Sequence, residues 1–387
     1  MKNIIGPPVE GNDFHGRKAE VTYVWKKIAA GNNIHLPSPR RVGKSSFAKR
    51  LIKEAHQNKW QTIDINLEKV NSEVEFLTMF VSALKGMTWY SRVKDQGETF
   101  LKTIKKIKPT VEMDGVKMSL EWEQEKSTIY SQFEPLIDHN KPTLIFLDEL
   151  GVFLNAIIHK KDNPINAAQF LHWLRHLRQI SNSKIKWIFS SSVGIQNFTH
   201  SHNITDTIND LLPYHLKAFD KIESKDLLKK LVRSSDFEIT EDIFQEIVDK
   251  VDYCLPYFLQ VIYQKIEVLI ELESHPIDRA LVNKAYESIL KEGHFNTWIE
   301  RIEKQYELIR TDLKRTLKHI CQEKHGSKRS NLLNLMIQKY EDIDDAEDRL
   351  NKTLYILTND GYLVELEGVY TFRSPLLRDF WFKRFAT

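Results

Sequence analysis

Residues 33–50, "NIHLPSPRRVGKSSFAKR", constrain the fold more than any other stretch. A short apolar strand, "NIHLP", runs into a loop ending Gly43-Lys44-Ser45, and a helix follows from about Lys44 to His56. An anion-binding loop needs this order: backbone N–H groups at a helix N-terminus converge on the phosphates while a lysine reaches the outer ones. The pattern G-x-x-x-x-G-K-[ST] is filled by Ser38-Pro39-Arg40-Arg41-Val42-Gly43-Lys44-Ser45, with Ser38 where the first glycine is expected. Gly43 lets the backbone come close to the phosphates. Lys44 is placed to hold the β- and γ-phosphates and Ser45 to ligate Mg²⁺, with Ser46 closing the binding stretch. Pro39 lacks an N–H but lies early, away from the donors nearest Gly43 and Lys44. Arg40 and Arg41 flank the phosphates, one to touch them and the other to brace the loop.

Two later strands end in polar residues. "TLIFLDEL" is apolar on both faces and delivers Asp148 and Glu149 at its carboxyl end, where ligand sites of open α/β sheets lie. The first acid is placed to position Mg²⁺ and the second to accept a proton from an attacking water. An ordinary strand ending in solvated acids is the competing explanation, and the loop upstream weighs against it. "KWIFSSS" offers Ser191, with Ser190 as the alternative, to touch the γ-phosphate or the water; a plain strand-end cap is the other reading.

Strand, loop, helix and strand repeat through residue 220, which predicts a parallel sheet with helices on both faces. "KPTVEMDGVKMSLEWE" interrupts it; Asp114-Gly115 between alternating segments predicts an inserted β-hairpin at about 109–121. From Ile222 the chain turns helical and charged, with Thr240 and Asp278 as expected N-caps. The last eighty residues read helix, helix, helix, hairpin, helix, the order of a winged helix-turn-helix. The predicted boundaries are 1–220, 221–305 and 306–387.

With 387 residues, 41% hydrophobic and 28% charged, such cores can be buried. A net charge of +3, from 56 basic and 53 acidic residues, gives no whole-molecule drive toward nucleic acid or membrane. Two cysteines, Cys254 and Cys321, make neither a CxxC pair nor a disulfide framework. The N-terminus has no apolar h-region and no run nears transmembrane length, so a cytoplasmic protein is expected.

These pieces together resemble the P-loop ATPases of the AAA+/STAND kind, especially the archaeal-ATPase-like group. "DFHGRKAEV" looks like its N-terminal F-x-G-R-x-x-E box beside adenine, carried by Phe14, Gly16, Arg17 and Glu20. "PRRVGKSS" is close to the group's P-R-R-x-G-K-T-S loop, in which the first glycine is often replaced. "SSSVG" resembles its G-S-S-x-G sensor segment. "CLPYFLQ" looks like the G-G-x-P-x-x-L turn of the helical lid; Pro256 matches, while Tyr253 and Cys254 stand for the glycines. The resemblance implies an additional-strand P-loop sheet domain, a helical lid and a C-terminal winged helix. It also implies ATP and Mg²⁺ as ligands, slow hydrolysis and switch-like use of the nucleotide. It leaves the partner open, since relatives include signalling switches, defence-associated ATPases and DNA-handling ATPases.

A winged helix that reads DNA needs Arg, Lys, Asn or Gln toward bases and cations toward phosphates. Here the third helix opens with Glu341, Asp342, Asp344, Asp345, Glu347 and Asp348, opposed by Arg349 and Lys352, and the wing carries Glu365 and Glu367. Lys314, Arg315, Lys318, Lys324, Lys328 and Arg329 crowd the first helix and its loop, to meet a nucleic-acid backbone or the acidic face of another subunit. This balance favours a protein partner or homo-oligomer over DNA. His172 and His176 have metal-ligand spacing without a third ligand and read as helix surface. Arg175 and Arg178 read as solvated basic positions, or as a finger to a neighbour's γ-phosphate. Three function classes follow: a nucleotide-controlled switch, a DNA-loading ATPase, and a scaffold that binds nucleotide and hardly turns it over.

Overall fold

The computed structural model describes residues 1–107, 125–159, 164–192 and 194–386. The expected hairpin at 109–121 lies outside the described residues. The chain packs as two compact units, each built from separated stretches. One is Ala19–Pro37 with Ala48–Tyr214; the other is Met1–Lys18, Ser38–Phe47 and His215–Thr387.

The first unit is the sheet. β1 (Asn33–Leu36), β2 (Gln61–Asn66), β3 (Thr143–Asp148), β4 (Ile185–Ser190) and β5 (Leu211–Pro213) run in the order β2-β3-β4-β1-β5. Every pairing is parallel. β4 thus stands between β1 and β3, the additional-strand arrangement expected from the sequence. β1 and β3 are buried along their whole length, as strands covered on both faces must be. β2, at the edge, buries Ile63 and Ile65 and exposes Asp64 and Asn66. Around the sheet lie α1 (Lys18–Ala29), α2 (Lys44–Gln57), α3 (Glu73–Leu84), α4 (Tyr90–Ile107), α5 (125–133), α6 (Leu150–His159), α7 (Pro164–Gln179) and α8 (Ile195–Ser201).

An aromatic cluster holds α3, α5 and α7 together. Phe76 meets Phe170 edge-on at 5.0 Å between centroids, and Tyr130 stacks on Trp173 at 4.3 Å. Such pairs add roughly 0.5–1.5 kcal/mol each beyond the area they bury. Tyr130 Oη donates to Glu73 Oε1 at 2.7 Å, and Lys126 Nζ lies 2.8 Å from the same oxygen. α3 begins at Glu73, three residues before the apolar run that announces it, because Ser72 Oγ accepts from Glu75 N. Arg178 is not a solvated position. Its side chain is fully buried and pairs in two-pronged fashion with Asp210, at 2.8 and 2.7 Å.

The second unit carries α9 (Lys221–Val232), α10 (Glu241–Val251), α11 (Pro256–Glu271), α12 (Arg279–Ile289) and α13 (Asn296–Gln305). Asp278 caps α12 by accepting from Leu281 N, as expected. Thr240 occupies the cap position of α10, but its hydroxyl bonds to Asp242 instead of the backbone. Then come α14 (Arg310–Gln322), β6 (Ser327–Lys328), α15 (Arg329–Ile337), α16 (Ile343–Asn359), β7 (Leu363–Leu366), β8 (Val369–Phe372) and α17 (Pro375–Phe385). β6, β8 and β7 form an antiparallel sheet. The helices and the β7–β8 hairpin follow the predicted order helix, helix, helix, hairpin, helix, with the short β6 added after the first helix. Asp312, buried in α14, gathers Lys339 Nζ at 2.6 Å and the Tyr340 hydroxyl at 2.9 Å, with Arg349 at 3.6 Å. Among the described residues, no helix is long and apolar enough to cross a membrane.

Candidate nucleotide site

The loop from Ser38 to Ser46 is buried or half-buried throughout, and each anchor is specific. Ser38 is 5% exposed; its Oγ accepts from Leu216 N at 2.7 Å, across 178 residues of sequence. The serine at the first-glycine position therefore ties the loop to the stretch that leads into the helices, which a glycine cannot do. Lys44, 7% exposed, donates from Nζ to the carbonyl oxygens of Ser38 at 2.6 Å and Pro39 at 3.0 Å. Ser46 Oγ accepts from Val9 N at 3.0 Å. Ser45 is half-buried in the first turn of α2.

The predicted box and lid residues join the same anchors. Gly16 and Arg17 both have positive φ, 67° and 58°. The Arg17 guanidinium donates to Val42 O at 3.1 Å and Lys217 O at 2.8 Å, and lies 4.8 Å from the centre of the Phe219 ring. Arg17 thus braces the loop's backbone. Arg41 sits at φ 67° with its guanidinium 4.1 Å over the Tyr257 ring. Tyr257 follows Pro256, the first residue of α11. The left-handed residue of that turn is Asp252, φ 55°, which explains how Tyr253 and Cys254 replace the expected glycines. Burial pushes the Tyr362 phenol up, against the charges of Arg301 and Arg40. Beside it, Gly361 at φ 83° packs on Pro39: a Cβ there would stand 2.6 Å from the proline's Cβ.

In the sheet unit, β3 ends at Asp148 and α6 starts at Leu150, leaving Glu149 as a single joint at φ 58°. Its carbonyl accepts from Val152 N and Phe153 N, and its own N–H donates to Asp148 Oδ1 at 3.0 Å. Asp148 is 6% exposed. Glu149 Oε2 accepts from Ser192 N at 2.8 Å and Ser192 Oγ at 2.7 Å, with Ser191 Oγ at 3.5 Å. Ser191 Oγ also accepts from Gly151 N, capping α6. Ser190 is fully buried, and its hydroxyl has no hydrogen-bond partner among the described residues. In the sheet register Leu36 is level with Ser190, so the chain enters the loop at the carboxyl end of the strands.

The loop fits a nucleotide's phosphates. The carbonyl oxygens that hold Lys44 Nζ stand in for phosphate oxygens. A Cβ built on Gly43, φ 94°, would point into open space. Within the loop, the Ser45 hydroxyl is a hard oxygen donor of the kind Mg²⁺ prefers. Sequence reasoning missed Ser192, Tyr257 and Gly361. Each adjoined a feature that was read: the third serine of "SSS", the residue after Pro256, and the glycine that opens the C-terminal hairpin.

No protein-family model matches the chain, and no curated protein matches it. Solved structures do. A Walker-type ATPase of Pyrococcus abyssi superposes with TM-score 0.62 over 98% of this chain and 99% of its own, at 17% identity. The ORC2 protein of Aeropyrum pernix, in ADPNP-ADP complexes, gives 0.54 over 100% and 98%, at 12% identity. Cdc6p of Pyrobaculum aerophilum gives 0.50 over 98% and 97%, at 10%. At these identities the likeness is one of fold. Strand order, the place of the loop after β1 and these likenesses together give the chain the P-loop NTPase fold of ORC- and Cdc6-like proteins.

Proposed function

We propose that the chain binds ATP with Mg²⁺ and hydrolyses it slowly, acting as a nucleotide-controlled switch through protein contacts. The observation that carries this reading is the buried Lys44 amine, held by loop carbonyls beside open space at Gly43. An ammonium ion stays buried only where oxygens surround it, and phosphate oxygens can take over from carbonyls. Lys44 then holds the outer phosphates, and the loop from Ser38 to Ser46 surrounds them. Gly16, Arg17 and Pro256 border the nucleotide, Arg17 by bracing Val42. Ser45 and Asp148 are the residues to hold Mg²⁺, which supplies charge neutralisation at the phosphates. Glu149 is the base for water, and Ser191 its neighbour on the sensor strand. The working parts in this reading are a core at 1–220, a lid at 221–305 and a winged helix at 306–387.

Switching has a physical route in the second unit. Loop, lid and winged helix share one set of contacts: Ser38 with Leu216, Arg41 with Tyr257, Pro39 with Gly361. Phosphates that claim Lys44 disturb Ser38 and Pro39, and hence what leans on them. Titration calorimetry with ATP and ADP tests the reading; no heat of binding with or without Mg²⁺ overturns it. Phosphate release over hours separates a slow ATPase from a scaffold.

A DNA-associated ATPase is the second reading. Arg310, Lys314, Arg315 and Lys318 line one groove beside α14. Glu303 neutralises part of it, at 2.6 Å from Lys314 and 3.9 Å from Arg310. The head of α16 exposes Asp344, Asp345 and Asp348, and Arg349 turns to Asp345 and Asp312. Protein partners or self-association therefore rank first. Native mass measurement with and without ATP and duplex DNA decides between them.

A further inference from the structure

We infer that Ser192 is a positioning residue for the hydrolytic base, an inference that rests on the ATPase reading with Glu149 as that base. Glu149 is the only residue between β3 and α6, and its backbone lies in the left-handed region at φ 58°, where a glutamate is costly. Backbone bonds fix its Cα: the carbonyl caps α6 and the N–H meets Asp148. The carboxylate is fixed separately and unevenly. Oε2 takes both the amide and the hydroxyl of Ser192, at 2.8 and 2.7 Å, with Ser191 Oγ at a longer 3.5 Å. These donors all serve one oxygen. Oε1 receives no hydrogen bond from the described residues.

The division suits a general base. Two charge-assisted bonds to one oxygen stop rotation of the carboxylate about its last torsion. The second oxygen keeps its lone pairs for the proton of a water. A base held in one orientation avoids the entropy of finding it at each turnover. The Ser192 amide alone leaves the group one bond to pivot on; the hydroxyl supplies the second. Ser191 does a different task, since its Oγ accepts from Gly151 N and so belongs to the start of α6. The buried Ser190 hydroxyl takes no part in holding Glu149.

The test is steady-state ATP turnover and ATP affinity for the full chain and for Ser192→Ala, Ser192→Thr, Glu149→Gln and the double variant Glu149→Gln/Ser192→Ala. The expected result is a kcat roughly 10-fold lower for Ser192→Ala, the scale of one hydrogen bond to a charged group. KM and calorimetric affinity for ATP should stay within about two-fold, and Ser192→Thr should recover most of the rate. In the Glu149→Gln background the alanine should cost nothing further, because the group it positions is no longer a base. A Ser192→Ala enzyme with unchanged or raised kcat overturns the inference, as does an equal loss in the Glu149→Gln background. Should Ser192→Ala not fold by circular dichroism, Ser192→Cys, of similar size with a weaker donor, carries the same expectations. A chain that hydrolyses no ATP, or whose Glu149→Gln variant turns over unchanged, overturns the ATPase reading itself and this inference with it.

Discussion

The phosphate loop and the acid end of β3 are held by opposite means. The loop is braced by residues far away in sequence: Arg17 at Val42, Leu216 at Ser38, Tyr257 under Arg41, Gly361 against Pro39. The acids are braced by the sheet and by the serines that end the neighbouring strand. A parallel strand pair is stiff, so the position of Glu149 follows from register. A loop anchored to Leu216, Tyr257 and Gly361 takes its shape from how those distant segments are arranged. One half of the proposed site is thus set by local structure, and the other answers to the rest of its unit.

Substitutions in each half, and pH, separate the two. Glu149→Gln should leave ATP affinity intact and lower turnover by roughly 100- to 10,000-fold, the range of a general base, measured as phosphate release. A fall in affinity instead would mean that the acid end shapes binding as well as chemistry. Lys44→Ala should act on the other half, weakening ATP binding by about 100-fold or more in calorimetry. Retained affinity would show that the loop does not hold the phosphates. Gly361→Ala meets the loop at Pro39. Its Cβ clash and left-handed φ should cost roughly 1–3 kcal/mol in urea unfolding, with a change in nucleotide affinity and none in the sheet. An unaltered affinity would uncouple Gly361 from nucleotide binding at the loop.

The smallest effect is that of pH on stability, with one histidine in each unit. Burial holds both His15 and His139 below the usual imidazole value of 6.5, Lys230 adding to this at His15. The folded state therefore binds fewer protons than the unfolded chain. The stability these groups contribute is full above pH 6.5 and is lost as pH falls through their lowered values. Stability should therefore fall between pH 7 and 5, read from urea midpoints. His139→Gln, in the sheet unit, should flatten the slope while nucleotide affinity holds.

Much of this was legible in the residues. β1, β3 and β4 were read where they stand, because their buried positions carry short apolar segments bounded by turn and polar residues. α2 was read through its Gly-Lys-Ser opening, and the C-terminal helices and hairpin through period and turn residues. Less legible was α4, whose charged sequence hides the buried Phe100 and Ile104. Thr240 has the right residue type and place for a cap, yet its hydroxyl found Asp242 first. Arg178 looked like a surface cation beside other charges; only the fold brings Asp210 to it.

By itself, the sequence determined the order of strands and helices, the loop after the first strand and the two acids after the third, since these follow from local pattern and short-range chemistry. Only the tertiary structure decided that Ser38 receives Leu216, that Arg17 braces the loop, that Gly361 must stay small beside Pro39 and that Ser192 holds Glu149. Those partners stand up to about 320 residues apart, and chain entropy leaves such pairings unspecified until the cores around them close.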